Sequence, residues 1–94
     1  MLIAVIEDDI KYRECLVKSL NAFPDCTVIH SLSNALNIDK SFAVDEPELV
    51  LLDINMPGRS GVEAVKEITE NYPSVQCVML TLNGELDVLS LIHI

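Results

Sequence analysis

Leu49-Val50-Leu51-Leu52-Asp53-Ile54-Asn55-Met56-Pro57-Gly58 is the stretch that decides how this chain folds. Four apolar residues in a row suit a strand buried on both faces, and a single carboxylate stands where the run stops. Pro57 and Gly58 then break regular structure. An acid at the carboxyl end of a buried strand lies where open α/β sheets place their ligand sites. The competing view of Asp53 is an ordinary strand end or turn cap, and the rest of the chain decides between the two.

Toward the N-terminus, Leu2–Ile6 is a second apolar run of strand length, followed at once by Glu7-Asp8-Asp9. From Ile10 to Ala22 the pattern turns helical, with Tyr12, Cys15 or Leu16, Ser19 or Leu20, and Phe23 along one face. Asp9 is placed to cap this helix and Pro24 to end it. Cys26–His30 is a β-branched strand, and Ser31 and Ser33 offer N-caps for a helix from about Asn34 to Phe42. Val44–Glu48 is a polar link into the central strand.

Toward the C-terminus, Gly61–Tyr72 predicts a helix with Val62, Val65, Ile68 and Tyr72 on its apolar face. Pro73 ends it, and Val75–Leu80 forms a fourth strand closed by Thr81. The order β-α-β-α-β-α-β means a parallel sheet with helices on both faces, within one domain spanning residues 1–94. Leu82 to Ile94 reads first as a short helix over Asp87–Ile92. Asn83-Gly84 between apolar runs supports the alternative, a hairpin returning Leu86–His93 as an antiparallel strand.

The 94 residues are 50% hydrophobic, with a formal net charge of −9 from 15 acids and 6 bases. That balance disfavours direct nucleic-acid binding, which needs a basic face. It suits a basic partner or a bound cation. No apolar run approaches the roughly 20 residues of a membrane span, and the first residues lack the basic region of a signal peptide. A cytoplasmic protein is expected. Cys15, Cys26 and Cys77 are widely spaced and odd in number, so they are expected to be reduced core thiols rather than a disulfide framework or a zinc site. His30 and His93 lack ligand spacing and are expected to be structural.

In a parallel sheet, residues that follow each strand emerge at one edge. Glu7 and Asp8 leave the first strand there, Asp53 the third and Thr81 the fourth. Carboxylates held close repel one another, which raises a proton affinity or recruits a cation. With oxygen ligands alone the natural ion is Mg²⁺ or Mn²⁺. Such an ion can bridge a carboxylate and a phosphoryl group and neutralise charge during transfer. Thr81 can hydrogen-bond a phosphoryl oxygen.

Ile6-Glu7-Asp8-Asp9, Leu51-Leu52-Asp53-Ile54-Asn55-Met56-Pro57-Gly58 with Gly61, and Val78-Met79-Leu80-Thr81 together resemble the receiver domain of two-component response regulators. The match runs in order from residue 2 to about Thr81. The resemblance implies a flavodoxin-like fold and a signalling domain rather than an enzyme. It implies that Asp53 takes a phosphoryl group from a sensor histidine kinase or phosphotransfer protein. It also implies that Glu7, Asp8, Asp53 and the Asn55 backbone carbonyl hold Mg²⁺, and that Thr81 follows the phosphoryl group as part of the switch. The central segment is most similar to regulators with a helix-turn-helix output, so a separate or missing DNA-binding domain is implied.

Two departures accompany the resemblance. The resemblance implies a lysine at the end of a fifth strand and an aromatic switch residue within it. The sequence stops at Ile94 with Lys11, Lys18, Lys40 and Lys66 all before the fourth strand, so the lysine, the fifth strand and the fifth helix are expected to be lacking. Leu82 also stands where the family usually has a small residue. These departures support an alternative, a receiver-like interaction module that is not usefully phosphorylated. They also predict an open fourth-strand edge, uncovered apolar surface on the first helix, and a homo-oligomer formed through that edge or through an exchanged C-terminal tail. A phosphatase with an aspartyl nucleophile is a third possibility, but Asn55 stands where its general acid would be.

Overall fold

Two five-residue strands, β1 (Leu2–Ile6) and β3 (Leu49–Asp53), form the central pair of one sheet, parallel and in register from Ile3↔Leu49 to Ile6↔Leu52. The computed structural model describes residues 1–53, 61–82 and 86–92, with residues from Leu80 onward described by their backbone alone. β2 (Thr27–Leu32) pairs parallel to β1, and β4 (Gln76–Leu82) pairs parallel to β3. β5 (Leu86–Ile92) runs antiparallel to β4, giving the order β2-β1-β3-β4-β5. Three helices complete the described chain: α1 (Ile10–Asn21), α2 (Ile38–Val44) and α3 (Gly61–Asn71). The four parallel strands with their helices are the flavodoxin-like arrangement expected from the sequence.

Alternation along the strands sorts the side chains onto two unequal faces. Ala4, Ile6, Val50, Leu52, Cys77 and Met79 share one buried cluster with Ile38 and Phe42 of α2 and with Ala64, Val65 and Ile68 of α3. Burying a side chain such as Ile68 or Leu52 contributes about 1.5–3 kcal/mol. Phe42 anchors this face further. Its ring meets Tyr72 edge-on with centroids 5.1 Å apart, and His30 stacks over it at 6.0 Å. His30 Nε2 lies 2.7 Å from the Asp45 carbonyl, a structural place like the one anticipated for it.

The opposite face is covered by α1, which has no buried residue. Beneath it Ile3 and Val5 are buried, while Leu49, Leu51 and Val78 are half-buried. Tyr12, Cys15, Leu16 and Ser19 line a shallow apolar groove of about 200 Å³ on α1. The uncovered first helix expected from the sequence is therefore present among the described residues.

Several local expectations are corrected. Ser31 does not cap a helix, because β2 continues through it to pair Val5↔Ser31 and Ile6↔Leu32. α2 consequently begins at Ile38 behind Asn37, which makes no side-chain cap. In α3 Val65 and Ile68 are buried and Tyr72 packs against the core as expected, but Val62 is 61% exposed and Gly61 and Ala64 are buried in its stead. Cys77 is a core thiol, pushed up to about 11 by burial, but Cys15 is exposed and Cys26 half-buried; all three are free.

The tail is the largest correction. Leu86–Ile92 is a strand and not a helix, pairing from Leu82↔Leu86 to Cys77↔Ile92. The hairpin signal at Asn83-Gly84 was the better guide, although residues 83–85 themselves lie outside the described residues. β4 therefore has a partner on both sides, and the predicted open edge at β4 is filled by the chain's own tail. A self-association route through that edge loses its basis, and the tail pairs within the same chain.

Candidate functional site

β1 and β3 carry the site. Their register, continued one step past Ile6↔Leu52, sets Glu7 beside Asp53. Both residues also continue the alternation of Ile3, Val5, Leu49 and Leu51, which places them on the α1 side of the sheet. The order β2-β1-β3 reverses direction between β1 and β3, and crevices at such switch points are where ligands bind in open α/β sheets.

Glu7 and Asp53 are almost fully buried, at 0% and 3% exposure, whereas Asp8 is exposed. One carboxylate oxygen from each of the three lies within 4.8 Å of the others. Two acids taken out of water so close together need a compensating proton or cation. Burial, reinforced by the neighbouring Asp8 and Asp53, pushes the Glu7 carboxyl up to about 7, while the Asp9 backbone N–H pulls it the other way. Tyr12, on the adjoining turn of α1, is raised first by burial and then by the charges of Glu7 and Asp53.

The hydrogen bonds around Glu7 are unevenly distributed. Its backbone N–H donates to the Leu32 carbonyl at 2.9 Å, and its carbonyl accepts from Arg13 Nη1 at 2.9 Å. Oε2 accepts from the Asp9 N–H at 3.2 Å. Oε1 is buried with no hydrogen-bond partner among the described residues, facing a group of acids that can share a proton with it but cannot donate one when ionised. A buried carboxylate oxygen without a donor is costly. A divalent cation held by oxygen ligands is the group such a cluster fits, and its all-oxygen donor set suits Mg²⁺ or Mn²⁺.

The remaining expected residues are placed unequally. Asp9 caps α1 as anticipated, with Oδ1 accepting the Tyr12 N–H at 3.1 Å. Thr81 lies in β4 one residue beyond Leu80, the register partner of Asp53, and its backbone pairs with Asp87. Asn55, with Met56, Pro57 and Gly58, falls outside the described residues. Leu82 is described by its backbone alone.

Arg13 and Tyr12 were not read as site residues from the sequence. Tyr12 counted as part of an apolar face, which its half-buried ring partly justifies. The signal for Arg13 was its place in the first turn of a helix that starts immediately after strand-end acids. A long cationic side chain there can reach back to the strand end.

Three comparisons bear on this geometry. The family model described as the response regulator receiver domain matches residues 3–91. The chain is 31% identical over 85 residues to the chemotaxis protein CheY of Listeria monocytogenes, covering 90% of this chain and 71% of that protein. It is 37% identical over 79 residues to the transcriptional regulatory protein LnrK of Bacillus subtilis, but there it spans only 36% of the relative's length. Among solved structures, the response regulator TrrA of Thermotoga maritima, in complex with Mg²⁺ and BeF, superposes with a TM-score of 0.75 at 31% identity. That match covers 85% of this chain and 68% of the other. RcsB of Salmonella enterica serovar Typhimurium, bound to promoter DNA, superposes with a TM-score of 0.81 at 20% identity and supports the fold alone.

Proposed function

This chain belongs to the response regulator receiver family of two-component signalling domains, and from that premise we propose that residues 1–94 act as one phosphoryl-accepting unit. The donor is a sensor histidine kinase or a phosphotransfer protein. Glu7, Asp8, Asp53 and the Asn55 backbone carbonyl would hold Mg²⁺ or Mn²⁺. The ion, when bound, neutralises negative charge on the carboxylates and on the transferring group. An Asp53 carboxylate oxygen attacks the phosphorus of a phosphohistidine; the P–N bond breaks, an acyl phosphate forms, and the departing imidazole keeps the electron pair. Thr81 contacts the phosphoryl oxygens.

The observation that carries this reading is the buried Glu7 Oε1, left without a donor inside a trio of carboxylates at the β1/β3 switch point. The chemistry is a single transfer onto the protein, which makes the chain a signalling domain rather than an enzyme. Its acidic balance, −9, argues that any DNA contact belongs to a separate output domain. No helix among the described residues is long and apolar enough to cross a membrane. We place its action in the cytoplasm, beside its phosphoryl donor.

A second reading is favoured by β5. Lys11, Lys18, Lys40 and Lys66 are all exposed on the three helices, and β4 is paired by an antiparallel strand in place of the parallel one the family resemblance anticipates. Under this reading the domain binds a partner through its receiver-like surface and is not usefully phosphorylated.

Intact-mass spectrometry after incubation with acetyl phosphate and Mg²⁺ separates the two. The first reading expects one added phosphoryl group in the parent, and none without Mg²⁺ or in Asp53→Asn. No addition to the parent supports the second reading. Addition to Asp53→Asn overturns the assignment of Asp53.

A further inference from the structure

Arg13 is bound to the cation site without facing it. It sits in the first turn of α1, six residues after Glu7, and its guanidinium folds back so that Nη1 donates to the Glu7 carbonyl at 2.9 Å in a part-buried position. That carbonyl lies one residue past the end of β1, beyond the last β1–β2 pair, Ile6↔Leu32. Arg13 supplies its donor. On the other side of the same residue, the Glu7 N–H is held by the Leu32 carbonyl at 2.9 Å.

From this geometry we infer that Arg13 is a positioning residue for the divalent-cation site, fixing the peptide between Glu7 and Asp8 so that both carboxylates project toward Asp53. The inference rests on the proposed cation-binding role of the trio and adds to it the element that sets its shape.

Two observations support a geometric role. Asp8 is exposed, and one of its carboxylate oxygens lies within 4.8 Å of those of Glu7 and Asp53, so the peptide held by Arg13 is the backbone from which two of the three acids project. Arg13 itself is anchored twice, because its own N–H makes the first helical bond, to the Asp9 carbonyl at 2.9 Å, while its side chain reaches back to Glu7. Rotation of the helix start and rotation of the Glu7 peptide are thereby linked.

Groups that orient metal ligands from behind typically alter metal affinity 10–100-fold when removed. Arg13→Met keeps most of the aliphatic stem and removes the donor. Arg13→Lys keeps a cationic donor on a stem one atom shorter, and Arg13→Gln carries a neutral donor one atom shorter still. The experiment titrates Mg²⁺ into the parent and the three variants by isothermal calorimetry at pH 8, and records the melting temperature of each without metal.

Arg13→Met and Arg13→Gln are expected to weaken Mg²⁺ binding at least tenfold, and Arg13→Lys to return within about threefold of the parent. If Arg13→Met does not fold, Arg13→Gln against Arg13→Lys gives the same comparison. Parental Mg²⁺ affinity in Arg13→Met or Arg13→Gln, with only the metal-free melting temperature lowered, would show a purely structural arginine and overturn the inference. Arg13→Lys as weak as Arg13→Gln would also overturn it. A parent that binds no Mg²⁺ refutes the cation-site reading itself, which is a separate outcome.

Discussion

The two ends of the sheet both gather carboxylates, and they use them differently. At the amino ends of the strands, Glu46 and Glu48 line a cleft of about 440 Å³ with Met1, Pro47, Ser74 and Gln76. Their oxygens are engaged in the fold: Glu48 Oε1 accepts the Leu2 N–H at 2.9 Å, and Glu46 Oε1 accepts from the Ser74 hydroxyl at 3.3 Å. At the carboxyl ends, Glu7, Asp8 and Asp53 crowd together and Glu7 Oε1 has no donor. The cleft at the amino ends is therefore structural. What separates the proposed cation site from a folded corner here is a buried carboxylate oxygen without a donor.

The sharpest way to break this contrast is to titrate the two ends. Glu7 rises from its ordinary value of 4.5 to about 7 in the folded state. A raised carboxyl stabilises the fold fully below its unfolded value, and that contribution is lost as pH rises through its folded value. The metal-free domain is thus expected to lose several degrees of melting temperature between about pH 4.5 and pH 7 and to level off above. Glu7→Gln removes the charge but keeps the shape. It should flatten this pH dependence, melt above the parent at pH 8 without metal, and abolish stabilisation by Mg²⁺. Thermal melts of both proteins across pH check all three, and a Glu7→Gln variant with the parent's pH dependence would remove Glu7 from the account.

The smaller effect belongs to the other end. Glu48→Ala deletes one exposed hydrogen bond to the start of β1, a loss of about 1 kcal/mol or less. A melting temperature a few degrees lower, with Mg²⁺ affinity and phosphoryl acceptance unchanged, is expected. Altered Mg²⁺ affinity in this variant would mean that the two ends are coupled and would blur the contrast.

Much of this contrast was legible in the sequence because it depends on where buried strands stop. Leu2–Ile6 and the run ending at Asp53 have apolar residues at every position, and a strand covered on both faces has no other way to be written. Once those two strands are parallel neighbours, Glu7 and Asp53 must meet. Elements decided by pairing rather than composition were harder to read. Ser31 has good cap chemistry, yet its backbone is claimed by Val5 across the sheet. Val62 has the spacing of the apolar face, yet it is exposed while Gly61 and Ala64 are buried. The tail from Leu86 carries apolar residues compatible with either state, and its state follows from β4 offering an unpaired edge. Arg13 donates to a backbone carbonyl, so its place in the first turn after the strand-end acids was its only mark in the sequence.

The most direct test of the central claim is the Mg²⁺-induced shift in melting temperature of the unaltered domain, measured at pH 8 and at pH 5. A ligand of the folded state stabilises it in proportion to ln(1 + [L]/Kd), and these carboxylates must be ionised to bind the ion. The account predicts a saturable upward shift at pH 8 that collapses at pH 5, where Glu7 holds its proton. No shift at pH 8, or an equal shift at both pH values, would contradict it.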